Sequence, residues 1–379
     1  MKILILIPGL PPNLNNIKGG IHSALINLLH GFTSLPDTEV RVISFLKQKT
    51  NEEPLQFADN VTIFYENEGP FPFHSINYFF FGSGILKSHI KDFKPDIVHT
   101  QVGNTFLFVK MFVRLHCPFV LTIHGMSNEE AKRKNKISDK IIWRFNSFIN
   151  SIFIPKNIIH LSQFSKSKTS HNNFNHEVII HNSVPIKYFN IPLKYKTDNI
   201  LMYIGVIDNN KNLIFLLNIL KNLKAMNIVY KLEVLGDFSN AIVKTQIENF
   251  IQKNDLSDDV VFHGWLLQQD VMRIIAKADI LVVSSKHESL PMVIAESMAS
   301  GKVVVASDVG GIPEMIVNDA DGFVFNLSHE NQIIHPLTSL YNNFNKMESI
   351  AINARKSAFE KFNCEKVAER TVLFYKKIS

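Results

Sequence analysis

Glu288 and Glu296 stand eight positions apart in the stretch SSKHESLPMVIAESMASGKVVVASDVGGIPE (284–314), where they bracket the start of a helix. A carboxylate accepts hydrogen bonds from hydroxyl groups. A helix start offers N–H groups without acceptors and the positive end of the helix dipole. Pro291 suits the first helical turn, where its missing N–H costs nothing. Gly301 suits the left-handed residue just past the helix end. The run KVVVA (302–306) reads as a strand buried in a parallel sheet. Gly310 and Gly311 would then let the backbone approach a ligand closely. Two glutamates alone are an unspecific signal, since an ordinary surface helix can carry the same spacing.

In this order the parts suit a ligand with both hydroxyls and a diphosphate, as a sugar nucleotide has. The diphosphate would take the amides of the helix start, including Leu290 and Met292. The carboxylates would take sugar and ribose hydroxyls.

These residues need a scaffold, and the chain alternates strand with helix to supply one. KILILI (2–7), EVRVISF (39–45), VTIFY (61–65), DIVHT (96–100) and FVLTIHG (119–125) read as strands in the first half. NILMYIG (199–205), KLEVLGD (231–237), VVFHG (260–264), ILVVSS (280–285) and KVVVAS (302–307) do so in the second. The alternation predicts an α/β fold of two Rossmann-like domains, with ligands at the carboxyl ends of parallel strands. Residues 1–190 form the expected first domain, 191–360 the second, and 361–379 a C-terminal helix crossing back to the first. A linker is expected near 185–198, where two prolines interrupt the pattern, and one long helix over about 348–377.

Composition agrees with a two-domain chain. The 379 residues are 46% hydrophobic, enough for two cores of roughly 150–200 residues each. Cys117 and Cys364 lie far apart and read as reduced thiols, which points to a cytosolic setting. The apolar start ends at Pro8, too soon for a secretion signal, and no run reaches the roughly 18 apolar residues that span a bilayer. Net charge is +6, with +8 on residues 1–195 (21 basic, 13 acidic) and −2 on the remainder. The basic half suggests an anionic partner such as a phospholipid surface or a lipid-linked phosphate. No nucleic-acid-binding motif or repeat is visible.

Segment 132–153 interleaves Lys132, Arg133, Lys134, Lys136, Lys140 and Arg144 with Ile141, Trp143, Phe145 and Phe148. An interfacial helix on an anionic membrane has this make-up. So does a domain helix with its apolar face inward and its lysines in water. Asp319-Ala320-Asp321 spells a metal-binding D-x-D, but its place before Gly322 and FVF predicts a turn with solvated aspartates. Gly82-Ser83-Gly84 lacks the context of a dinucleotide loop. No Walker loop, H-E-x-x-H or zinc spacing occurs, so nothing visible calls for a metal.

The 284–314 stretch resembles the E-x7-E signature of retaining GT-B glycosyltransferases of the family 4 (group 1) type. Ser285, Glu288, Pro291, Glu296, Ala299, Gly301 and Glu314 fall in the family pattern. The resemblance extends over nearly the whole chain. MYIGVIDNNKN (202–212) is similar to the family's phosphate-binding G-R-x-x-x-x-K-G element through Gly205 and Lys211. Val206 stands where arginine is usual and Asn212 where glycine is. Loss of that cation leaves three options: another cation substitutes, donor affinity is weaker, or the protein is inactive. KGGIHSALINLL (18–29) is similar to the family's first glycine loop, placing Gly20 near the donor. TIHGM (122–126) is similar to T-x-H-G, placing His124 near the reacting sugar. His99 matches another family position and reads as structural or peripheral. IIHNSVP (179–185) corresponds to I-x-N-G-V-D, with Ser183 and Pro185 as departures. VVFHGWL (260–266) resembles the border of the base site, with backbone groups near Trp265 and Leu266.

The resemblance implies a metal-independent transferase without a cofactor, moving sugar from a nucleotide donor with retention. In it Glu288 and His124 serve the chemistry. Gly20, Gly205, Lys211, Ser289, Leu290, Pro291, Met292, Glu296, Trp265 and Leu266 bind the donor. The implied acceptor is a lipid-linked glycan of a bacterial surface polysaccharide such as lipopolysaccharide, reached from the cytoplasmic membrane face. A catalytically inactive sugar-nucleotide-binding subunit is the first alternative, and a nicotinamide-dependent oxidoreductase, which would need an absent G-x-G-x-x-G turn, the second.

Overall fold

A computed structural model describes the chain except residues 15, 16, 18, 48–52, 69–80, 103–108, 110–112, 125–154, 170–173 and 195. It divides into two compact units, Met1–Ser183 with Cys364–Ser379, and Val184–Asn363. The 132–153 segment and Gly125 lie outside the described residues.

The first unit is built on eight strands: β1 (Lys2–Pro8), β2 (Glu39–Leu46), β3 (Leu55–Ala58), β4 (Val61–Asn67), β5 (Ile97–Thr100), β6 (Phe119–Ile123), β7 (Asn157–His160) and β8 (His176–Ile179). They lie in the order β3-β4-β2-β1-β5-β6-β7-β8, parallel except for the antiparallel β3–β4 pair. Strands β3 (LQFA), β7 (NIIH) and β8 (HEVI) were not expected, because each is short and includes a polar residue, unlike the equally short but continuously apolar β12. Side chains alternate between the two sheet faces. Ile3, Ile5, Val42, Ile97, Val120 and Ile159 pack under the helices Gly20–Phe32 and Cys364–Ile378. Leu4, Leu6, Ile43 and Val98 face the helix Ser83–Phe93.

The C-terminal stretch is two helices, not one: Phe344–Phe362 and Cys364–Ile378, separated at extended Asn363. The second helix packs on Gly20–Phe32, and Gly31 is where they touch. A Cβ at Gly31 would lie 2.0 Å from the Cys364 carbonyl oxygen and 2.6 Å from its carbon. Gly31→Ala should therefore destabilise the protein by about 1–3 kcal/mol, as overpacking does, although alanine is the better helix former. A thermal unfolding midpoint equal to wild type or higher would show that the helices are not so tightly apposed. Cys364 is buried, and neither cysteine forms a disulfide. Burial raises the Cys117 thiol to about 11, well away from a reactive thiolate.

The second unit has six parallel strands: β9 (Ile200–Ile204), β10 (Lys231–Leu235), β11 (Val260–Gly264), β12 (Ile280–Val283), β13 (Val303–Ser307) and β14 (Phe323–Phe325). Their order is β11-β10-β9-β12-β13-β14, so the winding direction reverses between β9 and β12. That reversal leaves a crevice beyond the strand carboxyl ends. The β9–β12 ladder pairs only Leu201 with Ile280 and Met202 with Leu281, so it stops before those ends. The expected linker is instead fastened to this unit. It contains the short helix Ile186–Phe189, and buried Asp279 accepts from Lys194 Nζ (2.6 Å) and from the backbone N–H of Asp198 and Ile200.

Candidate functional site

Two loops meet at the β9–β12 reversal. The first begins at Gly205, whose φ of 149° suits glycine, and a Cβ there would make only ordinary contact with the Lys211 stem at 3.5 Å. Asp208 Oδ1 accepts from the backbone N–H of Asn210 (2.9 Å) and Lys211 (2.7 Å), closing the turn. Asn212 follows at φ 56°, ψ 44°, just before the helix Leu213–Ala225. Glycine is the family residue there because the position is left-handed, and asparagine is among the residues that best tolerate it. This departure therefore preserves the backbone.

The second loop follows β12. Lys286 N–H donates to the Asn210 carbonyl (2.8 Å), and Asn210 Nδ2 donates to the His287 carbonyl (3.1 Å), binding loop to loop. Ser284 Oγ donates to the Lys211 and Asn212 carbonyls. Lys211 Nζ then reaches Glu288 Oε1 at 2.5 Å, and Ser285 Oγ donates to the same oxygen at 2.7 Å. Glu288 is nearly buried and Lys211 about a quarter exposed. An ammonium has three N–H donors, so this pairing leaves Lys211 capacity for an anion.

The helix starts one residue later than expected, at Met292, with Pro291 extended at its cap. The Ile294 N–H bonds back to the Pro291 carbonyl (3.2 Å), and those of Met292 and Val293 lack helical acceptors. Leu290 is buried and the Ser289 carbonyl receives the Gly311 N–H (3.0 Å). The Gly310 approach also differs from expectation. A Cβ there, at φ 61°, would stand 1.6 Å from the Glu288 carbonyl oxygen, so this glycine admits the backbone of Glu288 rather than only a ligand.

Glu296 lies further along the helix, half-buried. Burial raises its carboxyl to about 7, against the pull of the Lys187 ammonium and the Tyr188 hydroxyl. Gln268 joins that group, accepting from Lys187 Nζ (2.6 Å) and donating to Tyr188 Oη (3.4 Å). Trp265 is largely exposed after β11, its N–H held by Asp237 Oδ1 (3.0 Å), and Leu266 follows, partly covered. Val206, at the usual arginine, is 54% exposed and offers no charge. Asp321 is not a solvated turn residue: it is buried and accepts from the Val317 N–H at 2.6 Å.

Gly20 and His124 belong to the first unit. Gly20 opens the helix Gly20–Phe32 and has nothing within 4 Å of where a Cβ would stand. His124 Nε2 lies 2.6 Å from Gln101 Oε1, and burial lowers its ring to about 4, so the imidazole is neutral. His99 is completely buried beside it, which agrees with the structural option of its reading. Ser183, at the usual glycine, buries a hydroxyl without a hydrogen-bond partner among the described residues. It lines a cavity of about 20 Å³ with His99, Gln101 and Asn182, room for one water.

Sequence reasoning missed Asp208, Gly236, Lys187, Tyr188, Gln268 and Gln101. Asp208 had a signal, since D-N-N is turn chemistry. Gly236 is needed because a Cβ would sit 2.1 Å from the Gly205 carbonyl oxygen. The others gain meaning only through partners distant in sequence.

Two family models match in tandem: "Glycosyltransferase Family 4" over residues 18–187 and "Glycosyl transferases group 1" over 186–357. The chain is 25% identical to an uncharacterised glycosyltransferase of Methanocaldococcus jannaschii over 365 residues, 95% of each protein. It is 28% identical over 185 residues to the lipopolysaccharide 1,2-N-acetylglucosaminetransferase of Salmonella typhimurium, covering 45% of this chain and 46% of that one. Anabaena HepE, solved with UDP, superposes with a TM-score of 0.73 over 100% of both chains at 17% identity. Two parallel-sheet units, Lys211 paired with the first glutamate of E-x7-E, and both family models make the chain a glycosyltransferase of the GT-B fold and family 4 (group 1) type.

Proposed function

We propose that this glycosyltransferase moves a sugar from a nucleoside-diphosphate donor to a glycan acceptor with retention at the anomeric carbon and without a metal. The observation that carries the reading is the Lys211–Glu288–Ser285 node at the β9–β12 reversal. In it Lys211 and the first-turn amides at Met292 stabilise the leaving diphosphate, the main electrostatic contribution. Glu288 holds sugar hydroxyls and offsets positive charge developing at the anomeric carbon. Ser289, Leu290 and Pro291 shape the diphosphate pocket. Gly205 supplies the positive-φ turn that opens the loop bearing Lys211, and Glu296 accepts from the ribose hydroxyls. The backbone near Trp265 and Leu266 borders the base. In the first unit, Gly20 admits a substrate to the helix start, and neutral His124 accepts a hydrogen bond from a substrate hydroxyl. The leaving phosphate oxygen takes the acceptor proton.

A lipid-linked acceptor in bacterial surface polysaccharide synthesis, reached at the cytoplasmic membrane face, is the pathway reading. Its support is the +8 charge of residues 1–195 and the lipopolysaccharide transferase among the relatives. Among the described residues no helix is long and apolar enough to cross a membrane. The exposed, uncharged Val206 favours one second reading, a subunit that binds donor but does not turn it over.

Donor binding tests the reading, and its pH dependence has a definite sign. The Glu296 carboxyl, raised to about 7, is protonated in the folded state below that pH and ionised above it. An ionised carboxylate accepts hydroxyl hydrogen bonds more strongly. Nucleotide affinity should therefore rise about tenfold from pH 6 to pH 8, the equivalent of one charge-assisted bond over a neutral one. Measured for UDP and GDP by calorimetry, this rise should vanish in Glu296→Gln, which cannot ionise. Equal pH profiles in wild type and variant would remove Glu296 from the donor site. Hydrolysis of the matching sugar nucleotide separates enzyme from inactive binder.

A further inference from the structure

We propose that Tyr375, on the C-terminal helix, is a positioning residue that sets the tautomer of His124 through His99 and Gln101. The inference rests on the proposed role of His124 as a hydrogen-bond acceptor for substrate.

The sheet register brings the chain of groups together. In the β5–β6 pairing His99 stands opposite Val120 and Thr100 opposite Leu121. Side chains alternate, so His99 and Gln101 share one face with Thr122 and His124. The helix Cys364–Ile378 packs on that same face. His99 Nδ1 lies 2.6 Å from Tyr375 Oη, and its Nε2 lies 2.8 Å from Thr122 Oγ1 and 3.5 Å from Gln101 Nε2. Gln101 Oε1 in turn lies 2.6 Å from His124 Nε2. His99, Gln101, Thr122 and Tyr375 are all buried, so none can exchange its partner for bulk water.

Donor and acceptor identities then follow link by link. The Gln101 amide nitrogen can only donate, so His99 Nε2 accepts. A neutral imidazole carries one proton, so His99 Nδ1–H donates to Tyr375 Oη. Burial lowers His99 to about 3 and His124 to about 4, so both rings are neutral near pH 7. Gln101 Oε1 can only accept, so His124 donates from Nε2 and keeps a lone pair on Nδ1. That lone pair is what a substrate hydroxyl needs. Without the Tyr375 hydroxyl the buried Nδ1–H has no acceptor, which favours moving the proton to Nε2, where Thr122 Oγ1 at 2.8 Å can accept it. Moving that proton to Nε2 sets an N–H against the Gln101 amide nitrogen, a conflict relieved when the amide turns over; the turned amide leaves His124 Nε2 facing an N–H and requires its own proton on Nδ1. The acceptor position would be lost.

The test is the nitrogen chemical shifts of histidine-labelled full-length protein, with His99 and His124 assigned through His99→Gln and His124→Asn. The expected wild-type state is Nδ1–H for His99 and Nε2–H for His124. Tyr375→Phe should move both rings together, His99 toward Nε2–H and His124 toward Nδ1–H, and lower donor hydrolysis several-fold with UDP affinity unchanged. Val372→Ala, which thins the same helix contact without touching a polar group, should lower the melting temperature and leave both tautomers alone. Unchanged His124 shifts in Tyr375→Phe, or equal shifts in Val372→Ala, would overturn the relay. Wild-type hydrolysis and transfer in His124→Asn would instead overturn the role proposed for His124.

Discussion

Glu288→Gln is expected to lower donor hydrolysis and sugar transfer about a hundred- to a thousand-fold, the usual effect of removing one preorganised electrostatic group from a reacting centre. Three observations combine at this carboxylate. It is nearly buried, it receives Lys211 Nζ and Ser285 Oγ on one oxygen, and its main chain is clamped by Gly310. Glutamine has the same shape and still accepts at one oxygen, so the loops should keep their places. It carries no charge to oppose positive charge at an anomeric carbon or to hold Lys211 in register. The effect on stability should be within about 1 kcal/mol, since the pair touches solvent. Loss of rate with an unchanged melting temperature and retained UDP affinity supports the assignment. A turnover within about threefold of wild type would place the chemistry elsewhere.

Gly310→Ala should be the most damaging small substitution in the second unit. A left-handed residue with a Cβ costs about 1 kcal/mol or more by itself. Here the added carbon would also meet the Glu288 carbonyl oxygen at 1.6 Å, a separation no rotation can relieve because both partners are backbone. The loop bearing Glu288 must move away, and the Gly311 N–H to Ser289 carbonyl bond goes with it. The expected outcome is a loss of about 3 kcal/mol or more in unfolding free energy, within the range of severe backbone lesions. UDP binding should weaken more than tenfold. Gly20→Ala, with open space at its Cβ, should leave stability nearly unchanged. If Gly310→Ala melts and binds nucleotide like wild type, the loop is not held as described.

Much of the candidate site in the second unit was legible because it is local. Glu288, Pro291, Glu296 and Gly301 lie within one loop–helix–strand unit, where residue type and spacing carry the geometry. Lys211 and Gly205 were legible as the matching loop after another strand. The helix start was misplaced by one residue, since proline is acceptable both at the cap and in the first turn. Asp321 was misread because a turn aspartate has the same sequence signature whether its carboxylate faces water or a buried N–H. The C-terminal break at Asn363 was invisible because both flanking stretches are good helix formers.

By itself the sequence determined the two parallel-sheet units and the glycosyltransferase family, and it singled out the residues proposed to hold a donor. Those properties depend on short-range patterns: alternation, turn chemistry, and charge near a helix start. Only the tertiary structure decided which groups meet. Lys211 and Glu288 are 77 residues apart and Tyr375 and His99 are 276. Their pairing is set by strand order and register, which arise from packing between distant segments. Burial did the rest. The Glu296 carboxyl rises to about 7 and both rings of the His99–His124 pair stay neutral because burial reduces their contact with water, and no linear spacing encodes that burial.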